Sequence, residues 1–294
     1  MKNFYSKFSK IIIVTLTILF ISCSSDDDDV VIIDVTPLAA SQILDVSYGT
    51  NSQQKYDIYL PEGRTKETTK VFILIHGGSW VSGDKNDMNE FVNLLKPAFP
   101  DYTIVNINYR LASITTSAFP MQINDIESVI SDLKLNTDTY QISNNYGFIG
   151  VSAGAHLSML YSYKFDTSNE VDMVCSIVGP TNFTDTNYIN NPDYAQMTLA
   201  FQAITGVNYA DNPGYYEDLS PYHVVTSSAP PTILFYGDED ELIPTTQGVE
   251  MHAKLNSLGV VNEFTLYEGE GHGWDGANAI DTNIKLSAFI STHF

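Results

Sequence analysis

The sequence predicts an α/β fold in which a mostly parallel central sheet is covered by helices on both faces. Three observations carry this. From about Ser41 onward, strand-like and helix-like segments alternate. The inner strand-like runs, such as KVFILI and YGFIGV, are continuously apolar, which is how a strand buried on both faces reads. The segments between them are long enough for the crossover helices that parallel neighbours require.

Taken in order, ILDVSYG and KYDIYLP read as two strands of a hairpin joined through the turn-rich GTNSQQ. KVFILIHGG is the next strand, followed by a helix in DMNEFVNLLKPAF and a strand in YTIVNINYR. In QINDIESVISDLKLN, Ile123, Ile126, Val129, Ile130 and Leu133 recur with the helical period and mark one buried face. The strand YGFIGVS leads into a helix in AGAHLSMLYSYK, and VDMVCSIVG is a further strand. Residues 180–221 read as an irregular, aromatic-rich insert carrying Phe183, Tyr188, Tyr194, Phe201, Tyr209, Tyr215 and Tyr216. Most of these rings are expected to pack the insert onto the sheet, the rest being free to stack on a substrate. The strand TILFYG, the helix TQGVEMHAKLNSL, the strand NEFTLYEG and a terminal helix in NAIDTNIKLSAFISTHF complete the pattern. No internal repeat is present, so residues 41–294 read as one domain.

Ahead of it, lysines precede an apolar stretch from Ile11 to Ser22, which is too short to span a bilayer and suits a secretory signal over residues 1–22. The stretch ends FISC, which resembles a bacterial lipoprotein signal and makes Cys23 the expected lipidation site. Residues 23–40, with the acidic run Asp26–Asp29, then form a tether of at most roughly 60 Å. That run resembles the signals that carry lipoproteins to the outer surface of some Gram-negative cells. The expected location is therefore outside the cell, lipid-anchored to the outer membrane, with the anchor as the only membrane contact. The formal net charge of −21 argues against nucleic acid as a partner. With Cys23 lipidated, Cys175 has no partner in the chain and is expected to be a buried, inert thiol.

Four short stretches carry chemistry, each at the end of a predicted strand. GVSAG, between a strand and a helix, has the form of a nucleophile elbow. A sharp turn there holds Ser152 in strained backbone, and Gly150 and Gly154 must be small for the turn to close. ILIHGGSW offers backbone N–H groups close to where an oxyanion would form. LFYGDEDELIP supplies a carboxylate to orient an imidazole, with Asp238, Glu239, Asp240 and Glu241 as competitors. YEGEGHGW places His272 in a glycine-rich loop after the last strand. His76 is expected to shape the glycine loop and His156 to pack near the serine, with His223, His252 and His293 ordinary. Serine, acid, then histidine is the chain order of one hydrolase class, and parallel sheets gather such ends along one edge.

On YDIYLP, LIHGGSWVSGDK, NYRLA, FPMQINDIESVISDLK, GVSAGAHL, YGDEDELIP and GHGW, residues 44–292 resemble the esterase/lipase branch of the α/β-hydrolase superfamily. The likeness extends to carboxylesterases and to feruloyl- and acetylxylan-esterase-like carbohydrate esterases. The resemblance implies an α/β-hydrolase fold with the insert over the active site, and Ser152, Asp240 and His272 as nucleophile, acid and base, with Asp238 the fallback acid. It implies an oxyanion hole from the backbone N–H groups of Gly78, Ser79 and Ala153. Ser79 stands where a third glycine is frequent and Ala155 where a glycine often follows the elbow, changes that leave backbone donors in place. It further implies hydrolysis of carboxylic esters through an acyl-enzyme, without metal or organic cofactor. The expected substrate is a small ester or an acylated plant polysaccharide or oligosaccharide. A general short-chain carboxylesterase or lipase would use the same three residues. A peptidase of the prolyl-oligopeptidase type would need a propeller domain for which the chain lacks room, and a non-catalytic binding protein would be expected to lose one of the three.

Overall fold

All five side chains of VFILI, residues 71–75, are buried. Phe72 and Leu74 enter one apolar cluster, and Val71, Ile73 and Ile75 enter another. A strand with both faces apolar is stable only between two helix layers. The computed structural model, which describes residues 37–294, shows this arrangement.

The strands are β1 (Ser41–Ser47), β2 (Lys55–Leu60), β3 (Val71–Ile75), β4 (Thr103–Ile107), β5 (Tyr146–Val151), β6 (Val171–Ile177), β7 (Thr232–Gly237) and β8 (Asn262–Tyr267). The helices are α1 (Asn89–Ala98), α2 (Met121–Leu135), α3 (Thr137–Tyr140), α4 (Ala153–Leu160), α5 (Thr186–Ile189), α6 (Ala195–Thr205), α7 (Pro213–Asp218), α8 (Pro221–Val224), α9 (Thr246–Ser257) and α10 (Gly276–His293). The sheet order is β1-β2-β4-β3-β5-β6-β7-β8. β2 runs antiparallel to both its neighbours, and every pair from β4 to β8 is parallel. The C-terminal ends of β3, β5, β7 and β8 therefore share one edge.

α1 and α10 cover one face through Val92, Leu95, Leu286, Phe289 and Ile290. α2, α4 and α9 cover the other through residues such as Ile126, Leu157, Met251 and Leu255. Each fully buried aliphatic side chain contributes about 1.5–3 kcal/mol, so neither layer can be removed without losing the sheet. On α2 the five residues with helical period are all buried. Two polar neighbours, Gln122 and Asp125, are buried with them, and the Asp125 carboxylate is paired with Arg110 at 2.6 Å and hydrogen-bonded by Gln54.

Two segments differ from their sequence reading. The helix after the elbow is α-helical only to Leu160 and then widens into a π-turn over Tyr161–Phe165. Tyr161, Ser162 and Tyr163 in this turn are buried, as are all eight residues of α4 before it. The insert is not irregular. It holds four short helices, and the last, α8, runs past residue 221. Asp185, Asn191 and Asn212 accept backbone N–H groups at helix starts, and prolines 192, 213 and 221 sit in first turns. Asparagine before proline was the sequence signal at residues 191–192 and 212–213, while α5 is capped by Asp185 and α8 begins with Pro221 after Ser220. Of the seven insert aromatics, Phe183, Tyr188, Phe201 and Tyr216 are buried, so most do pack inward.

The expected signal peptide, Cys23 and the tether as far as residue 36 lie outside the described residues; residues 37–40 are exposed and irregular. Among the described residues no helix is long and apolar enough to cross a membrane. Cys175 is fully buried in β6, and burial pushes its thiol up, away from the reactive thiolate.

Close packing at the sheet edge gives one test. A Cβ at Gly154 would lie 2.1 Å from the Ile75 carbonyl oxygen and 2.4 Å from that of His76. Backbone cannot yield there without moving α4 away from β3. Gly154→Ala is expected to lower stability by about 3 kcal/mol or more, read from the urea midpoint. An unchanged midpoint would show that α4 and β3 are not in this contact.

Candidate active site

β5 ends at Val151 and α4 begins at Ala153, leaving Ser152 alone to reverse the chain. It does so at φ 53° and ψ −119°, a left-handed conformation that costs about 1–3 kcal/mol in a residue with a side chain. The turn closes because Gly150 is bare: its Cβ would stand 2.5 Å from the Gly154 carbonyl oxygen. The strain thus points Ser152 out of the strand end, next to a helix N-terminus.

Three more chain segments reach the same edge. His272, in the loop after β8, accepts at Nε2 from the Ser152 hydroxyl at 2.9 Å. Its Nδ1–H donates to Asp240 Oδ2 at 2.7 Å. The other Asp240 oxygen accepts the backbone N–H groups of Leu242 and Ile243 at 2.8 and 2.9 Å. The Asp240 side chain is 0% exposed, and that of His272 is 24% exposed. The two backbone donors hold the buried carboxylate in place, and its bond to Nδ1–H fixes the imidazole tautomer whose Nε2 can take a proton. Asp238, the alternative acid, faces away, accepting the Gly269 N–H at 2.6 Å.

The glycine loop after β3 supplies the fourth part. Gly78, Ser79 and Trp80 all have positive φ, at 107°, 50° and 63°. This run turns the backbone over the strand end, and Val81 and Ser82 N–H groups close it on the Gly78 carbonyl. Among the described residues, the N–H groups of Gly78, Ser79 and Ala153 have no hydrogen-bond acceptor.

What holds that strained loop was not legible from the motif. The Trp80 carbonyl accepts from Ala112 N–H at 2.9 Å and from Gln122 Nε2 at 2.7 Å. Further along, Lys85 is buried and joined to Asp57 at 2.9 Å and Asp45 at 3.1 Å, tying the loop to the β1–β2 hairpin. The Trp80 indole donates to His156 Nδ1 at 3.3 Å, while His156 Nε2–H donates to the Leu219 carbonyl at 2.8 Å. His156 therefore links the glycine loop, α4 and the insert. His76 is buried, donates to the Gly77 carbonyl and stacks on Tyr109 with ring centroids 4.2 Å apart.

The His156 bonds also set a pH dependence. Burial pushes its pKa down to about 4, opposed in part by the bond to the Leu219 carbonyl. In the unfolded chain the imidazole takes up a proton near its ordinary value of about 6.5. Stability from the neutral ring is thus complete above about pH 6.5 and is lost as pH falls toward about 4, roughly 3 kcal/mol in total. His156→Gln retains an amide acceptor and donor but does not titrate. Between about pH 7 and about pH 5 it is expected to lose less unfolding free energy than the wild type, by urea titration. Equal losses would mean that His156 does not carry the acid dependence.

Beside His272 lies an apolar cleft of about 200 Å³ between α1 and α10, lined by Phe91, Leu94, Val151, Ile177 and Trp274. From the other side the insert approaches. Phe183 packs edge-on against Trp80 with centroids 5.9 Å apart, and the Tyr194 hydroxyl donates to the Asp240 carbonyl at 3.2 Å.

Comparison with known proteins agrees with this architecture. Esterase LipC of Mycobacterium tuberculosis is 26% identical over 263 residues, covering 84% of this chain and 64% of its own length. Esterase LipQ of the same organism is 26% identical, covering 85% and 61%. The chain thus spans a little over three fifths of these relatives. Among solved structures, a truncated carbohydrate esterase from gut microbiota superposes with a TM-score of 0.69 at 22% identity, over 87% of this chain and 98% of that one. A bifunctional GH43-CE protein of Bacteroides eggerthii gives 0.71 at 25% identity, over 84% and 38%. These likenesses show an α/β-hydrolase fold. The BD-FAE family model matches residues 56–255, well over half of the chain, from within β2 to within α9, and the protein belongs to the BD-FAE family.

Proposed function

We propose that this protein is a serine esterase that hydrolyses carboxylic esters through an acyl-enzyme, and that its natural substrates are acylated plant polysaccharides or oligosaccharides. The observation that carries the reading is the hydrogen-bonded series from Ser152 through His272 to Asp240. His272 Nε2 takes the Ser152 proton as Oγ attacks the ester carbonyl, and the buried Asp240 stabilises the imidazolium. The oxyanion is received by the unpartnered N–H groups of Gly78, Ser79 and Ala153, each such donor being worth about 10²–10³ in kcat. His272 then gives its proton to the leaving alcohol, and a water repeats the sequence to release the acid. The esterase relatives LipC and LipQ and the carbohydrate-esterase neighbours support the reaction class. A polymer substrate is further supported by the lipid anchor proposed at Cys23, which would hold the domain at the cell surface.

The cleft of about 200 Å³ beside His272 favours a second reading, a general carboxylesterase for short acyl chains. Acid release from acetylated and feruloylated xylan, measured beside p-nitrophenyl acetate, separates the two. Ser152-dependent release from the polymer supports the carbohydrate esterase. Activity on the small ester alone leaves the short-chain esterase, and no activity on any ester overturns both.

A further inference from the structure

Within the insert, between α5 and α6, lies a second cleft of about 230 Å³ that the reaction chemistry does not use. Phe183, Phe201 and Tyr216 form its buried aromatic wall, and Tyr188, Asn190 and Gln202 bring polar groups to it. Tyr188, only 1% exposed, lines the same cleft. Of the two amide residues, Asn190 is exposed and Gln202 half-buried, so both side chains are open to a ligand.

We propose that this cleft is a binding subsite for one neutral sugar ring of an acylated saccharide, through which the insert selects the alcohol half of the substrate. Charge narrows the choice first. Residues 180–221 carry five acidic residues and no lysine or arginine, so a phosphate or uronate would be repelled. An alkyl chain would bury two amides without partners, costing about 1–3 kcal/mol for each. A phenolic ring has an apolar rim that leaves the amides unmatched. Each hydroxyl of a sugar both donates and accepts, as amide side chains do, and the ring's C–H faces suit aromatic walls. The volume also fits one ring, being below the roughly 300–1,000 Å³ typical of sites for larger ligands.

Position connects the cleft to catalysis. Phe183 packs edge-on against both Trp80 and His156, at 5.9 and 5.0 Å. Tyr188 packs on Tyr194 at 5.7 Å, and Tyr194 bonds the Asp240 carbonyl. One layer of side chains separates the cleft from the glycine loop and from the acid loop. A saccharide that occupies both must place its acylated unit at Ser152 and a further ring beyond this layer.

The role in substrate selection rests on the esterase reading; the capacity to bind sugar does not. The test begins with unesterified xylotriose titrated into the full protein carrying Ser152→Ala, followed by saturation-transfer NMR. Adding Leu199→Trp, at a 64%-exposed residue on the cleft wall, fills the space without disturbing the core. Gln202→Ala removes one amide. Each is expected to weaken xylotriose binding by about fivefold or more, the worth of one lost hydrogen bond or blocked contact. In the active protein the same changes are expected to lower the ratio of kcat/KM on acetylated xylotriose to that on p-nitrophenyl acetate by about tenfold. Xylotriose binding and the kinetic ratio unaffected by either change would overturn the proposal, and so would methyl ferulate displacing xylotriose from the cleft with higher affinity. If the wild type hydrolyses no ester, the esterase reading fails, and the NMR titration still decides the sugar site.

Discussion

Ser152→Ala is expected to lower kcat on p-nitrophenyl acetate by at least about 10⁴-fold while leaving the melting temperature unchanged or slightly raised. The kinetic expectation follows from the geometry. Without Oγ no acyl-enzyme forms, and only the N–H groups of the glycine loop remain to favour attack by water. The stability expectation follows from the backbone. At φ 53° any residue with a Cβ is strained, so alanine carries the same strain as serine. The only side-chain bond lost is the part-buried one to His272. Steady-state kinetics together with thermal melts check both. Turnover within tenfold of wild type would remove Ser152 from the mechanism.

Asp240→Asn is expected to lower kcat by about 10⁴-fold, and Asp238→Asn by less than about threefold. Two backbone N–H groups bind one oxygen of Asp240. An asparagine there keeps its carbonyl oxygen on those donors and turns its NH₂ toward His272. The imidazole must then accept at Nδ1 and carry its proton on Nε2, the tautomer that cannot deprotonate serine. At residue 238 an asparagine oxygen can still accept the Gly269 N–H, and no reacting group is near. Comparable losses in the two variants would mean that the acid loop rearranges during turnover.

The sheet and its helices were legible because they are local regularities. Continuous apolar runs marked β3 and β5, and the period of Ile123, Ile126, Val129, Ile130 and Leu133 marked α2. The insert was misread because its helices are short. Four-residue turns have too few positions to show a period, and the signals of α5 and α8 lay only in an Asp cap and a first-turn proline. Nothing in composition or periodicity marked Gln122, Asp125, Lys85 and Asp57, although each lies in a stretch that carries the family resemblance. They are polar side chains in segments with apolar faces, and they are buried only because partners from distant segments meet them.

By itself, the sequence determined the fold class, the serine at its elbow, the histidine in its glycine-rich loop and the N–H-rich turn, since each depends on residues within one short window. The residues' own chemistry left four neighbouring carboxylates open and the family resemblance pointed to Asp240; the tertiary structure puts that one against the imidazole, and it alone shows what holds the glycine loop in its left-handed conformation. Asp238, Glu239, Asp240 and Glu241 are chemically near-equivalent as letters; only the closing of the β7 loop gives Asp240 two backbone donors and a histidine 32 residues away. The bond from Ser152 to His272 joins residues 120 apart, and a contact of that span exists only after β5 and β8 have taken their places in one parallel sheet.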